Sequence, residues 1–109
     1  MIALRFPMAT IRCYNDNGPY FPPTEGIYQA ASLKDVLFHT RMCMDSGDQQ
    51  IGLFDANGEC KGMWLDEAEP EPDGEGGMTM GRPCYVLHRR GSMSERMWQL
   101  YQQRFKKTA

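Results

Sequence analysis

A chain of 109 residues, 41% hydrophobic and 24% charged, has the size and composition of a single globular domain, long enough to bury a core without help from metal or disulfides. No run approaches the about 18 consecutive apolar residues of a membrane-spanning helix, and the opening MIALRFPMATIRC lacks the charged start and apolar stretch of a secretory signal. These features predict a cytoplasmic protein whose cysteines, Cys13, Cys43, Cys60 and Cys84, are free thiols.

The net charge of −2 hides a segregation. Residues 66–75, DEAEPEPDGE, hold six acids and no base, whereas residues 82–109 hold seven Arg or Lys against the single Glu95. Two segments of opposite sign either neutralise each other in the fold or address different partners.

In chain order, residues 2–6 and 8–14 alternate with period two, which predicts strand interrupted at Pro7, because proline removes a ladder donor. NDNG at 15–18 is a turn signal, and PYFPPTEG reads as a loop whose Tyr20 and Phe21 fold back onto the domain. Ser32 has the character of a helix N-cap, with Asp35 placed to meet the free amides of the first turn. The helix is predicted to run to about Asp45, with Leu33, Val36, Leu37, Thr40 and Met44 on one face and Phe38 and Met42 nearly opposite.

Two apolar runs, Ile51-Leu53-Phe54 and Cys60-Met63-Trp64-Leu65, flank DANG, which predicts a hairpin with Gly58 at positive φ. The Pro/Gly-rich acidic segment 66–83 is too polar to pack a core and reads as a mobile loop or a charged rim. CYVLH at 84–88 alternates as a strand, and Ser92 with Glu95 has the spacing of a capping box. The last helix then presents Met93, Met97, Trp98, Tyr101 and Phe105 on one side. This order predicts a single α+β domain over residues 1–109. Its sheet has three to five mainly antiparallel strands, with both helices packed on one face.

Chemistry is sparse. HTRMC and CYVLH spell His-x-x-x-Cys and Cys-x-x-x-His, the inventory of a zinc site. On a helix, His39 and Cys43 share a face and can reach one ion. On a strand, Cys84 and His88 share a face but sit about 13 Å apart. At most one of them can therefore join His39 and Cys43, with Cys13 or Cys60 as a further donor. The expectation is no metal, no cofactor and no catalytic residue. A thiol- or metal-dependent enzyme ranks third among the functions considered, because no elbow-like turn surrounds Cys43 and the acids lie where no fixed carboxylate pair can form.

Two binding functions rank above it. Arg82, Arg89, Arg90, Arg96, Lys106 and Lys107 could line a nucleic-acid surface on the last strand and helix, although DEAEPEPDGE would repel a phosphate backbone. The leading expectation is a protein-binding module that works as a stoichiometric inhibitor or adaptor. Asp66, Glu67, Glu69, Glu71, Asp73 and Glu75 would form its acidic surface, and Phe38, Met42 and Trp64 its apolar anchors. In general character such a chain resembles small phage and plasmid proteins that bind and block a host machine, anti-CRISPR inhibitors among them. That resemblance implies a protein partner, such as a host complex that handles nucleic acid.

Overall fold

The structure is a computed structural model and describes residues 9–105. The elements run β1 (Ala9–Asn15), β2 (Thr24–Ala30), α1 (Leu33–Asp45), β3 (Gln50–Phe54), β4 (Cys60–Asp66), β5 (Pro70–Pro72), β6 (Met78–Met80), β7 (Tyr85–His88) and α2 (Glu95–Phe105). Five strands form an antiparallel sheet in the order β2-β1-β3-β4-β7, and β5 and β6 pair in a separate two-stranded sheet. The predicted α+β class and antiparallel sheet are present. The strand expected at residues 2–6 and its break at Pro7 lie outside the described residues. No helix among the described residues is long and apolar enough to cross a membrane.

Local signals explain most elements. Ser32 caps α1, its Oγ accepting the Asp35 amide at 3.3 Å, while Asp35 accepts the Ala31 amide in return. The β3–β4 turn closes where Asp55 N donates to Glu59 O and Gly58 takes φ 78°. A Cβ is strongly disfavoured in that conformation. For α2 the cap differs from expectation. Ser94, not Ser92, covers the first turn, its Oγ accepting the Met97 amide, and Ser92 Oγ instead accepts the Arg89 amide and contacts His88 Nδ1.

The helices do not share a face. Strand alternation sends Ile11, Cys13, Ile51 and Leu53 to one side, where they form a core with Ala9, Ala30 and the α1 residues Val36 and Cys43. The opposite parity, Arg12, Tyr14, Gln50, Gly52 and Phe54, faces α2. On that side Cys60, Met63 and Leu65 pack with Trp98, flanked by Phe54, Met93 and Tyr101. The fold is therefore helix–sheet–helix, with both faces of β3 covered, rather than a sheet with one helical layer.

The second face is hard to foresee because polar side chains build it. Gln50 is 0% exposed, and its amide donates to Tyr101 O at 2.7 Å. Arg12 Nη1 donates to Phe105 O at 2.6 Å, and its guanidinium lies 5.6 Å from the centre of the Phe54 ring. Arg104 lies over the Tyr14 and Tyr101 rings. These contacts tie the last turns of α2 to the sheet through backbone carbonyls and ring faces.

Three further expectations are corrected. The buried face of α1 is Val36, Thr40 and Cys43, which leaves Leu33 exposed and Leu37 62% exposed. Tyr20 is 90% exposed, and Phe21 is exposed beside it, so neither folds back onto the sheet. Residues 24–30, left without a strand by the sequence, form the edge strand β2, in full register with β1 from Ala9↔Ala30 to Asn15↔Thr24.

The placement of α2 can be tested at Gly52. A Cβ there would lie 2.7 Å from Phe54 Cε1 and 2.9 Å from Phe105 Cε2, so the Phe105 ring must move. Gly52→Ala is expected to lose about 1–3 kcal/mol in urea unfolding, whereas the exposed Leu37→Ala changes stability by no more than about 0.5 kcal/mol. Unchanged stability in Gly52→Ala would contradict the packing of α2 on this face.

Candidate functional site

Two regions concentrate the residues that the sequence singles out. The first is the acidic segment, which forms a hairpin. At its base Asp66 Oδ1 accepts the amides of Ala68 (3.1 Å) and Cys84 (3.0 Å), and Glu67 N donates to Cys84 O at 2.7 Å. At its tip Asp73 Oδ1 accepts the amides of Glu75 (2.8 Å) and Gly77 (3.0 Å), and these two bonds hold its carboxyl below the usual range. Asp66 and Asp73 therefore shape the hairpin. Glu67 Oε1 is joined to His88 Nε2 at 2.6 Å. Glu69, Glu71 and Glu75 are exposed.

Register gives the hairpin two unlike sides. Pro70 pairs with Met80 and Pro72 with Met78, so these four share one face, while Glu71 and Thr79 share the other. Met78 and Met80 are 63% and 64% exposed. The alternation of MTM against PEP is the signal in the sequence, and it is masked there by the surrounding glycines and acids.

The second region lies under α1. Phe38 and Met42 are exposed and, with Tyr28, His39, Cys43, Ser46 and Asp48, line a cleft of about 220 Å³. His39 and Cys43 do share a side of the helix. The His39 ring stacks on Tyr28 at 5.1 Å with Phe38 edge-on at 5.3 Å. Beside two of these lining residues, Cys43 and Asp48, lies Cys13: the Cys13 Sγ, the Cys43 Sγ and a carboxylate oxygen of Asp48 are within 4.8 Å of one another, all three residues buried. Asn15 Nδ2 donates to Asp48 Oδ1 at 3.2 Å, Asp48 N donates to Cys43 O, and Tyr85 Oη donates to Asp48 O at 2.7 Å.

Charge in this cluster is one-sided. The thiol of Cys13 is pushed far up, first by its hydrogen bond to Cys43, then by burial and by the negative charges of Cys43 and Asp48. The same Cys13–Cys43 hydrogen bond favours a thiolate on Cys43, against burial and Asp48. Burial, then the charges of Asp66, Asp48 and others, push the Tyr85 phenol up to about 12.

The remaining predicted residues are scattered. Trp64 is half-buried and packs against the α1-side core with Met44 and Tyr85. Cys84 is exposed, and His88 is engaged by Glu67 and Ser92, so neither joins the thiol cluster. Arg90 is paired with Glu95, Arg82 follows the acidic hairpin, and Arg89 and Arg96 are exposed. Lys106 and Lys107 lie outside the described residues. Asp48 had no local signal, because only the β1–β3 pairing brings the residues just before β3 beside Cys13.

Compared with known proteins, the chain matches no family model, no curated protein and no solved structure.

Tyr85 tests the anchoring of this cluster. Tyr85→Phe removes its bond to Asp48 O and is expected to lose about 1 kcal/mol near pH 8. A raised folded-state pKa contributes stability that is present below the ordinary tyrosine range and lost as pH rises through about 12. The gap between wild type and Tyr85→Phe should therefore narrow between about pH 10 and 12, read by denaturant unfolding at each pH. A constant gap would contradict the burial of the phenol.

Proposed function

We propose that the protein is a protein-binding module, a stoichiometric inhibitor or adaptor, and that its contact element is the hairpin β5–β6. The observation behind this reading is the hairpin's two-sidedness outside the main sheet. An isolated two-stranded hairpin is marginal in water, and a face of Pro70, Pro72, Met78 and Met80 that is exposed among the described residues is suited to burial by a partner. Methionine adapts to irregular surfaces. Glu69, Glu71 and Glu75 add negative charge that steers the hairpin toward a basic protein surface, such as one that handles nucleic acid. On α1, Phe38 and Met42 offer a second apolar contact, and Trp64 contributes to the fold instead.

The test uses affinity capture from the cell in which the protein acts, followed by titration of the captured partner. Met78→Ser/Met80→Ser should weaken binding about tenfold or more, since hot-spot side chains contribute on the order of 2 kcal/mol each. Glu69→Gln/Glu71→Gln/Glu75→Gln should weaken it at low salt, and that difference should shrink as salt is raised. Equal affinity and equal salt dependence in both variants would refute the hairpin as the contact element.

A further inference from the structure

We propose that Cys13, Cys43 and Asp48 form a site for a thiophilic divalent cation of the zinc class, with a fourth coordination position opening onto the cleft under α1. Zinc takes thiolate sulfur at about 2.3 Å and carboxylate oxygen at about 2.0–2.2 Å, which sets tetrahedral ligands about 3.3–3.8 Å apart. Donor atoms already within 4.8 Å of one another need only a small inward movement to meet that geometry. Two sulfurs and one oxygen suit zinc or cobalt, and not the all-oxygen preference of magnesium or calcium.

The donors are held from three directions. Cys13 lies in β1, Cys43 in the last turns of α1, and Asp48 in the link to β3. That link is pinned by Asp48 N to Cys43 O at 3.1 Å, by Gln49 N to Tyr14 O at 3.0 Å, and by Tyr85 Oη to Asp48 O. Asn15 occupies Asp48 Oδ1 and leaves Oδ2 for an ion, the outer partner that metal-binding carboxylates commonly have. Among the described residues no ion pair reaches Asp48, so this buried carboxylate has no salt-bridged partner to balance it. A divalent cation supplies that balance.

The cleft provides entry and space for a fourth ligand. It reaches Cys43 and Asp48 from solvent between Tyr28, His39 and Ser46. Three protein donors with an open fourth place match zinc sites that keep water or an exchangeable ligand. His39, one helical turn before Cys43, stands at the mouth of the cleft, where it shapes access to that position. Binding releases the thiol protons to solvent, so affinity rises with pH.

The experiment is a Co²⁺ titration of the reduced, chelator-treated full-length chain, followed by Zn²⁺ competition. The expected result is one equivalent of Co²⁺ with a thiolate-to-cobalt charge-transfer band and intense tetrahedral d–d bands, both abolished by Zn²⁺. Cys60→Ser and Cys84→Ser should retain the spectrum. Cys13→Ser should lose it, and Asp48→Asn, nearly isosteric and chosen in case the cysteine variant fails to fold, should weaken affinity about tenfold or more. Absence of a charge-transfer band in folded wild type would overturn the proposal. So would a spectrum unchanged in Asp48→Asn, or a Cys13–Cys43 disulfide in the isolated protein found by intact mass.

Discussion

Both faces of the central β1–β3 pair are covered by helices, and the rest of the architecture follows from that double burial. A strand has two parities, and here each is committed to a helix. Ile11, Cys13, Ile51 and Leu53 meet α1, while Arg12, Gln50, Gly52 and Phe54 meet α2. A register slip by one residue would exchange these sets and take Arg12 and Gln50 away from the Phe105 and Tyr101 carbonyls they bond. The buried amide of Gln50 on Tyr101 O therefore fixes register as well as joining helix to sheet.

The same arrangement brings the thiols together. Cys13 faces α1 only because β1 pairs with β3 in this register, and Cys43 points down only because Val36 and Thr40 set the buried side of the helix. Asp48 closes the group because α1 ends at Asp45 and the chain enters β3 at once. A cluster drawn from three elements cannot be spelled in one stretch of sequence. The mirrored HTRMC and CYVLH are one true helical pair and one strand, and the partner of Cys43 is Cys13 on the neighbouring sheet.

What was legible followed local rules. Alternation marked β1 and β7, two apolar runs flanking the DANG turn marked β3 and β4, and Ser32 marked the start of α1. What was hidden followed from tertiary contacts that reverse the usual sense of a residue. Arg12 and Gln50 are polar residues that dock α2 through their polar ends, as amphipathic side chains can. Leu33 and Leu37 read as core but stay exposed, because the sheet meets α1 on the Val36–Thr40–Cys43 side. β2 was missed because an edge strand carrying Gly26 and Gln29 has little apolar rhythm.

The acidic hairpin stands apart from this scaffold. Among the described residues its strands pair only with each other, and its base is closed by Asp66 and Glu67 on Cys84. The hairpin is thus set apart from the five-stranded sheet, as its proposed role as contact element requires. Glu69 and Gly81 already meet across the hairpin through Gly81 N to Glu69 O at 2.9 Å. Replacing residues 70–80 with Asn-Gly, a two-residue turn suited to such a ladder, removes the element and keeps its base. Thermal unfolding of this variant is the most direct measurement: the account predicts a midpoint equal to that of the full chain. A midpoint lowered by many degrees would show that β5 and β6 support the fold, and would contradict their assignment as a contact element.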